Sequence, residues 1–148
     1  MSELFRVKTK WIGGLNGTGE LSFRTIEFPF SVPEELKGAG VGTNPEELLL
    51  GASAACFLLT LGTVLTLQNI PVHRLELESE IEISTERGLE IKKITHFPKV
   101  TLKENSASDN VAKAQTAVTK AESFCLVAKA LRGNVATHIV PKIEMAGH

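Results

Sequence analysis

The chain has 148 residues, 43% of them hydrophobic and 22% charged, with a net charge of −1. That is one domain's worth of sequence, residues 1–148, with enough apolar side chains for a core. Near-neutral charge removes the attraction that nucleic acid or an anionic membrane would exert, and seven Phe, one Trp and no Tyr leave little for base stacking.

Phe5 to Ile12 alternates apolar and basic residues, the pattern of a half-buried strand. A glycine-rich turn follows from Gly13 to Gly19, and Glu20 to Val32 reads as further strand interrupted by Pro29. Pro33 to Thr43 is a loop carrying Gly38, Gly40 and Gly42. The first long helix then starts with every expected signal. Asn44 is a good N-cap, Pro45 suits the first helical position, and Glu47 completes a capping box. Leu48 to Leu67 is a run of twenty uncharged residues, long enough to span a bilayer. Its place between strand-like segments and its Gly, Ala and Ser content favour a helix buried all round in a globular core. Asn69 and Pro71 end it.

His73 to Ser84 alternates most cleanly, with Leu75, Leu77, Ser79, Ile81 and Ile83 inward and the intervening charges in water. Arg87-Gly88 turns the chain, and Leu89 to Leu102 returns as a strand whose phase break predicts a bulge near Lys92-Lys93. Ser108 or Asp109 caps a second helix with the stripe Val111, Ala114, Val118, Ala121, Cys125, Ala128 and Leu131. Gly133 stops it, and Val135 to Ile143 is a last strand. The order β-β-β-α-β-β-α-β, mostly hairpin-linked, defines an α+β fold.

Two cysteines make no disulfide scaffold, and no basic, apolar leader opens the chain, so a cytoplasmic protein with reduced thiols is expected. Each cysteine lies on the apolar side of a predicted helix. Free Cys is a small hydrophobe that ordinarily fills cores, whereas a reactive thiol needs a polarising setting that a mid-helix position does not itself supply. The residues alone leave both readings open. His73, His96, His138 and His148 are scattered without metal-ligand spacing, so no metal is expected. No nucleophile elbow accompanies a Cys-His pairing through His96 or His138.

The run NPEELLLGASAACF (Asn44 to Phe57) resembles the signature of the OsmC/Ohr family of thiol-dependent peroxidases, and AESFCLVAKALRGNV (Ala121 to Val135) is similar to that family's second cysteine helix. The family often has Pro after the second cysteine, where this chain has Leu126. The resemblance implies antiparallel sheets packed on two long helices in an intertwined homodimer. It also implies a cysteine-based peroxidase reducing organic hydroperoxides, with hydrogen peroxide as a further candidate. Cys56 would become a sulfenic acid that Cys125 resolves as an intramolecular disulfide, and an external dithiol, a lipoylated protein in the Ohr branch, would then reduce it. No cofactor is implied. The resemblance further implies a glutamate, matched by Glu46, and an arginine. The two positions where the family places that arginine carry Leu15 and Leu36, so Arg24, on the second strand, and Lys37, in the loop, are the candidate replacements. Glu46 and Cys56 stand ten residues apart on one predicted helix, about 15 Å along its axis. Glu46 can therefore assist only a Cys56 of a second subunit, across a two-fold dimer with shared sites. The alternative is a redox sensor without turnover, or a member of the same fold that binds a small apolar ligand.

Overall fold

The computed structural model describes residues 1–147; His148 lies outside the described residues. The chain forms two compact units, Met1–Leu49 and Leu50–His148.

The first unit is an antiparallel three-stranded sheet, β1 (Lys8–Ile12), β2 (Thr18–Ser22) and β3 (Glu27–Phe30), followed by a loop. The predicted strand from Glu20 to Val32 is in fact a hairpin. Phe23 N–H donates to the Ile26 carbonyl (2.8 Å) across a turn that contains no Gly, Pro or Asn to announce it. Arg24 therefore sits in this turn and not on a strand. The first strand begins at Lys8, later than its alternation suggests, and both its faces are exposed rather than half-buried. Trp11 leans on Phe30, with ring centroids 5.5 Å apart. In the loop, Ser31 folds the backbone onto itself: its hydroxyl donates to the Val41 carbonyl (2.9 Å) and accepts from Val41 N–H (2.7 Å). Gly40 and Gly42 take φ of 65° and 68°, which only glycine adopts without strain, and this turns the chain into its helix cap.

That cap is the predicted box. Asn44 Oδ1 accepts from Glu47 N–H (2.9 Å), while Asn44 Nδ2 donates to Glu47 Oε1 (2.7 Å). Helix α1 (Pro45–Leu67) then runs unbroken for 23 residues. Its end matches the sequence: Asn69 is left-handed (φ 55°) and Ile70 N–H closes on the Leu65 carbonyl.

In the second unit, strands β4 (Val72–Ser84) and β5 (Glu90–Leu102) form a long antiparallel hairpin with the predicted bulge, since Lys92 has no partner between the Glu82–Lys93 and Ile83–Ile91 pairs. Helices α2 (Asp109–Phe124) and α3 (Leu126–Leu131) follow, then β6 (Ala136–Ile139) and β7 (Lys142–Met145), both parallel to β5. The sheet is thus mixed, where the family resemblance implies antiparallel sheets. The expected single last strand is interrupted at Val140-Pro141 without losing register: Ile139 pairs with His96 and Lys142 with Lys99. Pro141 and Pro98 fall opposite this gap, and neither has an N–H for the ladder. The parallel direction follows from the helical crossover between β5 and β6.

The core of this unit joins Phe57, Leu61 and Leu65 of α1 to Val100 and Leu102 of β5 and to Ala114, Ala117, Val118 and Ala121 of α2. Alanines on α2 let the large side chains of the other two elements interdigitate, and each buried Phe or Leu contributes roughly 1.5–3 kcal/mol. Helix α1 has the length and hydropathy of a membrane span, yet it buries one stripe in this core, Ser53, Phe57, Leu61 and Leu65. It is not buried all round: Leu59 and Leu67 are 66% and 77% exposed.

Candidate active site around the two thiols

Cys56 is half-buried, on the side of α1 that borders the core, one residue before Phe57. Cys125 is 1% exposed and stands where the predicted second helix breaks. Its backbone is extended (φ −61°, ψ 121°), so it ends α2 and caps α3, and its sulfur accepts from Ala128 N–H at 3.5 Å. The sequence shows no breaker here. Leu126 has good helix propensity, and the break is a tertiary choice that moves burial from the α2 stripe to Ala128 on α3.

This break brings the two thiols together and frees backbone N–H groups beside them. Burial is the largest single influence on Cys56 and opposes its ionisation. It is outweighed by hydrogen bonds from Val127 N–H, the Cys125 thiol, Leu126 N–H and the Thr60 hydroxyl, so the Cys56 pKa falls below its ordinary value. Cys125 moves the opposite way. Burial raises its pKa, the adjacent Cys56 sulfur raises it further, and the N–H bonds of Ala128 and Val127 only partly offset this. The pair is therefore asymmetric: one thiol is readied for ionisation and the other held protonated as its donor. Neither is in a disulfide.

The groups acting on Cys56 are uncharged. Arg24 and Lys37 are exposed, Arg24 in a groove of about 480 Å³ with Arg6, Lys8 and Lys10, and Lys37 at φ 65° after the 3-10 turn Glu34–Leu36. Glu46 lies in the first turn of α1, half-buried, with Oε2 shielded from solvent and without a hydrogen-bond partner among the described residues. Also among the described residues, no three His, Cys, Asp or Glu side chains converge as a metal site.

A second polar group lies behind Cys56. His96 is 1% exposed, with Nε2 3.1 Å from Ser53 Oγ and Nδ1 2.6 Å from Ser79 Oγ, and its ring stacks on Phe57 at 5.2 Å and 13°. Both ring nitrogens are thus occupied by hydroxyls, and burial pushes the His96 pKa down. The inward Ser79 was the available signal, because a hydroxyl on a core-facing strand position needs a partner. Nothing in the sequence marked Thr60 or the amides of Leu126 and Val127.

A polarised thiol on one helix beside a protonated thiol at a helix break defines a two-cysteine thiol protein of α+β architecture. Residues 37–140 match the model of the family described as OsmC-like protein. The chain is 34% identical over 132 residues to the organic hydroperoxide resistance protein OhrB of Bacillus subtilis, covering 89% of this chain and 93% of that protein. It is 35% identical over 144 residues to the uncharacterized protein YmaD of the same organism, covering 97% and 96%. The crystal structure of OhrB superposes with a TM-score of 0.71 at 30% identity, covering 95% of this chain and all of that one. That of an organic hydroperoxide resistance protein OsmC from Legionella pneumophila gives 0.74 at 27%, covering 95% and 99%. The chain belongs to the OsmC-like family.

Proposed function

We propose that the protein is a cytoplasmic, cofactor-free thiol peroxidase that reduces organic hydroperoxides, with Cys56 as the attacking thiol and Cys125 as the resolving one. The observation that carries this reading is the placement of Cys125 at the helix break, in the core cluster against which Cys56 packs, with the local donors and burial pushing the two thiols in opposite directions. The Cys56 thiolate attacks the distal peroxide oxygen, the O–O bond breaks, and the departing alkoxide takes a proton to become the alcohol, leaving Cys56 as sulfenic acid. The Cys125 thiol then condenses with it, releasing water and forming the disulfide, which an external dithiol reduces at the cost of its own oxidation. Low Cys56 pKa supplies the nucleophile. A protonated Cys125 avoids a competing negative charge until the sulfenic acid has formed. Exposed Leu59, Phe124 and Leu126 give the surroundings an apolar character suited to organic peroxides.

The proposal includes a homodimer in which Glu46 of one chain serves Cys56 of the other. Its support is the unbroken α1 and the apolar surface each chain leaves open, with Leu4, Phe5, Ile12, Leu59 and Leu67 all more than half exposed. A sensor that is oxidised without turnover, or a binder of small apolar ligands, is the second reading, favoured by Leu15 and Leu36 where the family has its arginine. Cumene hydroperoxide with excess dithiol separates them: the peroxidase consumes peroxide over many turnovers, Cys56→Ser abolishes this, and Cys125→Ser accumulates a trappable sulfenic acid. One equivalent consumed and no more identifies the sensor, and none identifies the binder.

A further inference from the structure

The two sheets treat their cations differently. In the second unit every Lys and Arg on a strand stands against a carboxylate: Arg74 with Glu76 (3.7 Å), Lys92 with Glu90 (2.7 Å), Lys93 with Glu82 (3.3 Å), and Lys99 and Lys142 both with Glu144 (3.1 and 3.6 Å). In the first unit Arg6, Lys8, Lys10 and Arg24 form no ion pair among the described residues, yet all four line one groove of about 480 Å³.

The strand pattern puts them there. Residues two apart on a strand share a face at a spacing of about 6.6–6.8 Å, so Arg6, Lys8 and Lys10 make a row along β1. The β1–β2 register sets Lys8 against Ser22 and Lys10 against Glu20. One same-face step past the end of the ladder, that register brings Arg6 alongside Arg24, in the turn after β2. Like charges set opposite each other across a sheet cost stability. Glu20 answers Lys10 at the other end of the groove, and Glu27 is engaged by Ser22, whose hydroxyl donates to its Oε1 at 3.2 Å. The uncompensated positive charge is therefore gathered where Arg6, Lys8 and Arg24 border the groove.

That gathering selects a ligand. The volume is in the range of small-molecule sites. Guanidinium groups offer forked donors that suit an oxyanion, and two of them beside an ammonium are balanced better by a dianion than by a single carboxylate. A phosphate monoester is such a dianion at neutral pH, its second pKa being about 6. A polyanion running the length of the groove would meet Glu20 and Glu27, so a compact head group fits where an extended charged strand does not. Phe23 sits between Ser22 and Arg24 in the groove wall. Its ring is held against Phe28, with centroids 5.3 Å apart, and offers an apolar surface next to the charge.

We infer that this groove binds a small phosphate monoester, with the phosphate between Arg6 and Arg24, Lys8 adding to the charge, and the apolar body of the ester along Phe23. The site lies within the first unit and is independent of the thiol chemistry.

The test is a titration of the full-length protein with phenyl phosphate at about pH 7.5 and constant ionic strength, followed by backbone amide chemical shifts. Saturable shifts centred on residues 6–8 and 22–24 are expected. Inorganic phosphate, which lacks the ring, and benzoate, which lacks the second charge, should each bind several-fold more weakly. Arg6→Ala and Arg24→Ala should each weaken phenyl phosphate roughly tenfold, the scale of one hydrogen bond between charged groups. Both positions are exposed, so the fold is kept, and unchanged shifts elsewhere in the spectrum verify it. Lys113→Ala removes an equal charge from α2 and should change nothing. Binding should also weaken at about pH 5, as the phosphate takes up its second proton. The absence of saturable shifts overturns the inference, as does binding that is unchanged at about pH 5. Benzoate or inorganic phosphate binding as tightly as phenyl phosphate overturns it too. An equal loss in Lys113→Ala would reduce the effect to net charge, and single-stranded DNA binding more tightly than phenyl phosphate would make the groove a track for polyanions; either result overturns it.

Discussion

Replacing Ser79 by Ala should destabilise the protein more than a surface serine would, because it orphans a nitrogen inside the core. The His96 ring is 1% exposed, its Nδ1 lies 2.6 Å from Ser79 Oγ, and its Nε2 is already taken by Ser53 Oγ at 3.1 Å. Ser79 is itself only half-buried, so water replaces the lost partner in part, and the ring nitrogen bears up to about 1–3 kcal/mol of unpaired desolvation cost. For a chain of this length that is a drop of roughly 4–8 °C in Tm for a loss near 2 kcal/mol. Ser53→Ala should cost a similar amount for the same reason. The triple replacement Ser53→Ala, Ser79→Ala, His96→Phe keeps a ring against Phe57 and removes every polar atom. Its loss should therefore be well below the sum of the singles. Burial holds the His96 pKa below its ordinary 6.5, so the unfolded chain takes up the proton first as pH falls. The stability this group confers is therefore fully present above about pH 6.5 and is lost as pH falls from there toward the lower folded value, and His96→Phe should flatten that part of the curve. The assay is urea unfolding of each variant at one fixed protein concentration between pH 5 and 8. Additive single losses, or singles within about 0.5 kcal/mol of wild type, would refute the reasoning.

Leu126→Pro tests the backbone donors. Position 126 opens α3, where proline is well accepted, so the substitution deletes one N–H beside Cys56 with little cost to folding. Cys56 alkylation should shift to higher pH and slow several-fold at neutral pH while thermal stability holds within about 1 kcal/mol. For the shared site, mixing Cys56→Ser chains with Glu46→Ala chains should restore peroxide turnover in mixed dimers, since one of their two sites then combines a wild-type Cys56 with a wild-type Glu46. Failure of mixed dimers to exceed the activity of the separate variants would mean that the glutamate does not act across chains.

Much of the fold was legible because its signals are local. The Asn44 box, the left-handed Asn69, the inward faces of β4 and the bulge at Lys92 each follow from a few neighbouring residues. The β2–β3 hairpin was missed because Phe23 to Ile26 turn without turn residues, and the pause between β6 and β7 depends on Pro98 lying opposite Pro141, a pairing no local window contains. Of the candidate site, the identity of the two thiols was readable and their surroundings were not.

The sequence by itself determined the α+β order of elements, the start and end of the first helix and the two residues on which the chemistry centres, since propensity, capping and periodicity are properties of short stretches. Only the tertiary structure decided that the second helix breaks at Cys125. That break is held by packing and by an N–H bond to sulfur rather than by any breaker residue, and through it two thiols meet and acquire opposite acidities. The donors that set those acidities come from segments some seventy residues apart in the chain, so only the folded chain could bring them to one sulfur.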